Sequence, residues 1–131
     1  MREKILIVAL MSVVASGVNA DVVDQALAQY RTQGAGEFNA AAGQVLWDKT
    51  YSMAGGETRR CATCHSADLR QPGKHAQTGK RIEPMAPSVN AKRLTDLKFV
   101  EKWFLRNCKW TLGRECTPQE KGDVLLYLRT M

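Results

Sequence analysis

Apolar residues recur every three or four positions along much of the chain, which is the spacing of helices with one buried face. Three stretches carry this pattern, at 22–33, 38–50 and 95–106. In the third stretch, the apolar stripe consists of Leu97, Val100, Trp103 and Phe104. No stretch alternates between apolar and polar residues as a strand would, so the predicted fold class is all-α.

The C-terminal part carries the clearest helix boundary. Thr117-Pro118-Gln119-Glu120 combines a capping box with a proline at the first helical position, and it predicts a last helix that continues through Leu128. Segment 66–84 is instead rich in Gly, Lys, Gln and Pro, and this composition predicts a loop.

The N-terminal apolar run is continuous rather than periodic. Residues 5–14 are apolar except for one serine, basic residues precede them, and Val18-Asn19-Ala20 fits the small-residue rule for cleavage. This pattern predicts a signal peptide at 1–20, export to the periplasm and a single mature domain at 21–131. The run is too short for a membrane span, which needs about 20 apolar residues. An uncleaved N-terminal anchor is the alternative.

Composition and charge narrow the class of protein. The chain has 131 residues, of which 44% are hydrophobic and 24% charged, as expected for one globular domain. The net charge is +6, and removal of Arg2, Glu3 and Lys4 with the signal peptide leaves +5. This balance favours an acidic docking partner, and nucleic acid is not an expected partner of an exported protein.

The most specific motif is Cys61-Ala62-Thr63-Cys64-His65, the C-x-x-C-H pattern of covalent haem attachment. Two thiols three positions apart lie on one face of a helical turn, where they can add to the two vinyl groups of one haem c. His65 follows directly and can ligate the iron as the axial ligand. A thioredoxin-like redox pair and half of a zinc site are the alternatives, but the βαβ setting and the two further zinc ligands are not apparent.

A second cysteine pair, Cys108 and Cys116, has different spacing. In an oxidising compartment these residues are predicted to form a disulfide that closes a short loop. Two free thiols, or a Cys thiolate on iron, are the alternatives.

The order of the elements resembles class I cytochrome c: a helix, the C-x-x-C-H motif, a loop, a helix, a loop and a C-terminal helix. Gly43 and Trp47 are similar to the glycine–aromatic pair of that family's N-terminal helix, where glycine lets a second helix approach. Tyr127 would be the aromatic partner on the last helix. Plain core packing is the alternative explanation of each residue.

The sixth iron ligand distinguishes the possible functions. Class I cytochromes use a Met in the loop before the last helix, but the segment predicted as that loop, 105–117, has none. Met85 lies only 20 residues after His65, where the class I pattern places it on the same side of the haem as His65. On that side, the carbonyl of Pro87 is expected to accept a hydrogen bond from His65 Nδ1.

Four segments together resemble the sphaeroides haem proteins over nearly all of the mature chain. They are 61–65, Ala86-Pro87-Ser88-Val89-Asn90, Arg93-Leu94-Thr95-Asp96, and the segment from Asn107-Cys108 to Cys116-Thr117-Pro118. That family consists of class I variants with a high-spin haem and an asparagine ligand beside a disulfide.

The resemblance implies specific roles. Asn107 becomes the sixth ligand, released on reduction, and Cys108 and Cys116 become the disulfide. Oxygen or nitric oxide then binds ferrous iron, and the electron donor is a dihaem cytochrome c. A neutral amide oxygen suits this role because it favours ferric iron and so lowers the reduction potential. A helix C-cap is the alternative role of Asn107, because the predicted helix 95–106 ends there.

Two other functions stay open at this point. The protein is an ordinary electron carrier if Met85 is the sixth ligand, and Lys109 can be that ligand only when deprotonated. It is a small haem oxidoreductase, such as a peroxidase, if a distal acid–base group exists, but no distal His is apparent. His75 lies in a polar loop and is expected to be solvated rather than a ligand.

Overall fold

The computed structural model describes residues 21–131, and the predicted signal peptide lies outside the described residues. The predicted helices are present, with ends that differ by a few residues. In chain order the elements are α1 (Val22–Thr32), α2 (Ala40–Asp48), β1 (Tyr51–Ser52), β2 (Thr58–Arg59), α3 (Ala62–His65), β3 (Gly73–Lys74), β4 (Arg81–Ile82), α4 (Leu97–Leu112) and α5 (Pro118–Arg129). No helix within 21–131 is long and apolar enough to cross a membrane.

The four strands were not expected from the sequence. They form two antiparallel hairpins, β1–β2 and β3–β4, and each strand has only two residues. The second hairpin lies inside segment 66–84, which the composition predicted to be a loop. Strands this short cannot show an alternating pattern, so the sequence offered no periodic signal for them.

Helices α2 and α5 cross in close contact at Gly43. A Cβ on Gly43 would lie 2.0 Å from the backbone oxygen of Asp123, so only glycine permits this approach. The rings of Trp47 and Tyr127 pack nearby, with centroids 6.4 Å apart. The glycine and both aromatic residues therefore have the positions that the class I resemblance implied. At the start of α5 the predicted capping box is present, formed by Thr117 and Glu120.

The core has two clusters of buried side chains that meet at Leu94 and Phe104. The first cluster joins α1 to α4 and α5 through Tyr30, Val100 and Leu125. The second cluster lies beside the haem-attachment motif and consists of Trp47, Leu69, Ala86, Val124, Tyr127 and Leu128. Partly buried Phe104 packs against both, so α4 joins the two halves of the core.

Helix α4 is longer than the sequence predicted. It does not end at residue 106 but continues to Leu112, where Gly113 caps it with a left-handed backbone, φ 76°. Asn107 is consequently an interior helix residue, and the C-cap alternative for it is wrong. The prediction failed because Asn107 and Cys108 have weak helix propensity, whereas a left-handed glycine is a stronger stop.

Candidate haem site

A cavity of about 1000 Å³ lies between the segment 60–65 and the inner face of α4. Its lining is mostly apolar with a few polar groups, which is typical of cofactor sites of about 300–1,000 Å³. The residues singled out from the sequence that line it are Cys61, Cys64, His65, Met85, Asn107, Cys108 and Cys116. Residues far apart in the chain thus meet around one space.

The short helix α3 presents both thiols and His65. The amides of Cys64 and His65 donate to the carbonyl of Cys61, at 3.3 and 3.1 Å, and Cys61 and Cys64 have free thiols. Burial raises the pKa of the Cys61 thiol to about 12, so this sulfur is protonated at neutral pH. Because α3 has only four residues, its shape depends on what packs against it.

Gly73, in β3, packs directly against this turn. A Cβ at position 73 would lie 1.8 Å from the carbonyl oxygen of Cys64 and 2.8 Å from His65 Cα. Any larger residue would therefore push on the attachment turn itself. Sequence reasoning missed Gly73, because a glycine in a polar loop is usually read as a turn residue.

The His65 ring lies in the cavity wall beside Trp47, with centroids 5.5 Å apart. Burial, and secondarily the nearby Arg93 charge, lower the pKa of His65 to about 4. The imidazole is therefore neutral at physiological pH, as a metal ligand must be. The expected hydrogen bond to Pro87 is not formed, because buried His65 Nδ1 has no partner among residues 21–131.

Two indole nitrogens at the cavity share this unpaired state. Trp47 Nε1 and Trp103 Nε1 are buried, line the cavity with their side chains, and have no acceptor in the described part of the chain. A buried N–H without an acceptor is costly, so these groups indicate that a polar atom belongs near them.

Arg93 is a further polar group that sequence reasoning did not single out. Its Nε donates to Pro84 O at 2.9 Å and its Nη2 to Glu83 O at 2.6 Å, so its main partners are neutral carbonyls. The half-buried guanidinium has a lowered pKa because of desolvation. It lines the cavity and brings a positive charge close to His65. Only its place in the fold distinguishes it from solvated arginines.

Helix α4 carries Asn107 on the cavity wall, and two anchors hold this end of the helix. A disulfide joins Cys108 to Cys116, with the Cα atoms 5.6 Å apart. Arg59 Nη1 donates to Trp110 O at 2.7 Å, and its guanidinium lies 4.4 Å from the Trp110 ring centroid. Arg59 is therefore held by the backbone and the indole ring of α4.

This chain is similar in sequence to known proteins. A family described as a domain of unknown function (DUF1924) matches residues 33–128. The cytochrome c-type protein SHP of Cereibacter sphaeroides is 41% identical over 104 residues, which cover 79% of this chain and 80% of that protein. Cytochrome c'' of Methylophilus methylotrophus is 39% identical over 88 residues, which cover 67% of this chain and 61% of that protein.

Solved structures give the same relatives. The structure of oxidised SHP, described as an oxygen-binding cytochrome c, matches with a TM-score of 0.77 and 38% identity, over 86% of this chain and 100% of that one. The chain belongs to the SHP family of c-type cytochromes. The crystal structure of oxidised cytochrome c'' matches with a TM-score of 0.71 and 31% identity, over 83% of this chain and 94% of that one.

Membership of the SHP family establishes a class I-like, all-helical fold and a covalently bound haem c, and the Cys61–Cys64 pair fits its attachment motif. The cavity residues fit this cofactor. Its apolar lining suits the macrocycle, and the unpartnered indole N–H of Trp103 and the Arg93 guanidinium suit the two anionic propionates. The sequence alone identified the two thiols and His65, but it did not assign these polar groups to the cofactor.

The other candidate ligands of this SHP-family chain have distinct surroundings. Met85 lines the cavity and packs on the cluster that contains Trp47, the neighbour of His65. Lys109 is exposed, 3.8 Å from Glu115. His75 also lines the cavity, and its Nδ1 accepts from the backbone amides of residues 77 and 78 at 3.2 Å. His75 is therefore a turn residue at the cavity rather than a fully solvated side chain.

Proposed function

We propose that this protein is an exported monohaem cytochrome, with a mature domain at 21–131, that binds a diatomic ligand when reduced. His65 is its permanent axial ligand, and Asn107 is a sixth ligand that is released on reduction. The observation that carries the proposal is that Asn107 lines the same cavity as the attachment motif. The description of SHP as an oxygen-binding cytochrome c supports the same function.

The attachment residues have separate roles in this proposal. Cys61 and Cys64 form thioethers with the haem, and His65 binds the iron through Nε2. When bound, the haem supplies one-electron redox chemistry and an iron with two axial positions. Trp103 and Arg93 would pair with the propionates, which would give the unpaired Trp103 N–H an acceptor and the half-buried guanidinium a counter-charge.

Asn107 acts through its side-chain amide. The amide oxygen is a neutral, hard ligand that binds ferric iron better than ferrous iron, so Asn107 favours the oxidised state and lowers the potential. Once released, the Asn107 side chain would be free to rotate, and its NH₂ group could donate a hydrogen bond to a diatomic ligand in the cavity. The disulfide and the Arg59 contact hold the backbone of α4, so this change needs only side-chain rotation.

Electrons come from a partner cytochrome in this proposal, and a dihaem cytochrome c fits the family resemblance. Five cationic side chains that line the cavity are exposed, namely Arg60, Lys80, Arg81, Lys92 and Arg106, and they outnumber the acidic lining residues Glu83 and Asp96. They give the cavity edge a positive field that attracts an acidic partner and accelerates its docking at low ionic strength.

A second candidate function is ordinary electron transfer with Met85 as the sixth ligand, because Met85 lines the same cavity. Its packing on the cluster that contains Trp47 argues against this role, because the Trp47 ring also contacts His65, and Met85 would then share the side of the haem that His65 occupies.

Asn107→Ala and Met85→Ala separate the two functions. With Asn107 as the ligand, wild-type ferrous protein is high-spin and binds carbon monoxide without a slow replacement step. Asn107→Ala keeps covalent haem, opens ferric iron to water or small anions and raises the reduction potential, whereas Met85→Ala changes little. Absorption spectra and spectroelectrochemistry give these readouts. A methionine–ferric charge-transfer band that is lost in Met85→Ala and kept in Asn107→Ala would establish the electron carrier instead.

A further inference from the structure

A second cavity of about 610 Å³ opens on the outer side of α4, away from the attachment motif. It lies among α1, α4 and the start of α5, and charged side chains such as Lys98, Lys102 and Glu115 surround it. Its apolar lining consists of Leu97, Phe104 and Leu105, together with Cys116 of the disulfide. Leu105 is 45% exposed, so it lies at the open side of this cavity.

Two residues, Phe104 and Cys116, line both the outer cavity and the haem cavity. The partition between the two spaces is therefore one side chain thick at this point. Its two sides are held differently, because a disulfide fixes Cys116 to Cys108, whereas only side-chain packing holds the partly buried Phe104 in its rotamer.

Phe104 precedes Asn107 by three positions on α4, and residues at this spacing are neighbours on one helix face. The partition consequently lies beside the proposed ligand site. The apolar part of the outer cavity wall also suits small uncharged gases, which favour contact with apolar side chains over water.

We propose that a diatomic ligand reaches the haem cavity through the outer cavity, and that Phe104 is the gate, swinging against the fixed Cys116. This inference rests on the proposed function, because it needs a ligand that binds ferrous iron. Rotation of one aromatic side chain is fast compared with the opening of a domain. Such a gate therefore controls the rate of ligand entry without a change in the backbone.

A gate has a kinetic signature that distinguishes it from a ligand contact. It changes the association and dissociation rates by the same factor and leaves the equilibrium affinity unchanged, because the same barrier is crossed in both directions. A residue that touches bound ligand changes the affinity instead. Carbon monoxide is the probe, and flash photolysis and stopped-flow mixing with the ferrous holoprotein measure both rates.

Leu105→Trp fills the outer cavity from its exposed side without contacting the haem cavity. We expect both rates to fall several-fold, with unchanged affinity, unchanged visible spectrum and unchanged reduction potential. Val89→Trp is the matched control, because Val89 is a similarly exposed apolar residue, 55%, that lies outside both cavities. This control is expected to keep both wild-type rates.

Phe104→Ala and the milder Phe104→Leu open the partition, so the association and dissociation rates should both rise several-fold. The leucine variant keeps the test available if the alanine variant does not fold. Unchanged rates in Leu105→Trp would overturn the route, and an altered affinity in Phe104→Leu would overturn the gate. Wild-type ferrous protein that takes up no carbon monoxide would overturn the proposed function and this inference together. Normal uptake with unresponsive rates would overturn only this inference.

Discussion

The two segments that carry the proposed iron ligands are built in opposite ways. Helix α3, which ends at His65, has four residues and no side-chain cap, and none of its own residues is fully buried. Helix α4, which carries Asn107, has sixteen residues, with Asp96 accepting from the amide of Phe99 at its start and left-handed Gly113 at its end. The first segment depends on its neighbours for its shape, whereas the second is a complete helix in its own right.

This difference matches the two proposed roles. The permanent ligand lies on a segment that two thioether bonds complete, so His65 and the haem become one covalent unit. The releasable ligand lies on a helix that keeps its position whether or not the iron is bound. An amide that returns to the same place after each redox cycle needs such a preformed support.

Removal of both attachment thiols should have the largest effect, because it takes away the bonds that complete α3. We expect Cys61→Ala with Cys64→Ala to abolish covalent haem, so that acid–acetone extraction leaves a colourless protein. Haem staining of a denaturing gel measures this loss. Asn107→Ala is the control and should keep its stain, because it lies on α4. A double-thiol variant that stays red after extraction would contradict the assignment of these cysteines.

A second perturbation acts on α3 from outside. Gly73→Ala places a Cβ 1.8 Å from the carbonyl oxygen of Cys64, and backbone atoms cannot move aside cheaply. We expect it to lower the free energy of unfolding by about 3 kcal/mol, at the upper end of overpacking effects, and to reduce the yield of haem-loaded protein. Urea unfolding of the holoprotein followed at the haem band measures the change.

Gly36→Ala is the matched control for this substitution. The nearest atom to a Cβ at position 36 is Gln119 Oε1 at 3.7 Å, an ordinary contact with a flexible side chain. The control should therefore unfold at nearly the wild-type urea concentration. Equal stabilities of the two variants would show that β3 does not support the attachment turn.

The same contrast explains what could be predicted from the sequence. Local features could be predicted, because spacing and residue type are enough to identify them. They are the C-x-x-C-H motif, the capping box at Thr117, and Gly43 with its aromatic neighbours. Contacts between residues that are distant in the chain could not be predicted. Gly73 against the Cys64 carbonyl, and Arg59 on Trp110 O, depend on how loops return to the helices, and no periodic pattern encodes that.

Asn107 illustrates both sides of this limit. The family resemblance singled it out, and the structure brings it to the haem cavity. Its local setting was nevertheless misjudged, because the apolar stripe predicted a helix only over 95–106. Packing of α4 against α1 and the strong stop at Gly113 extend the helix past it. Tertiary contacts therefore override a weak local preference at this residue.

The smallest expected effect comes from removing the disulfide with Cys108→Ala and Cys116→Ala. In contrast to the thiols of α3, these cysteines add an anchor to a helix that already has others, namely its Gly113 cap and the bond from Arg59 to Trp110 O. Loss of the cross-link frees the unfolded chain, and for so short a loop this lowers the free energy of unfolding by about 2.5 kcal/mol. Haem attachment, the ferric spectrum and the equilibrium affinity of the ferrous protein for carbon monoxide should stay as in the wild type, because Asn107 keeps its place. Urea unfolding and absorption spectra test the two halves of this prediction separately.

A ferric spectrum that shifts to that of Asn107→Ala would show that the disulfide, rather than the helix, holds the ligand, and the contrast between α3 and α4 would then fail.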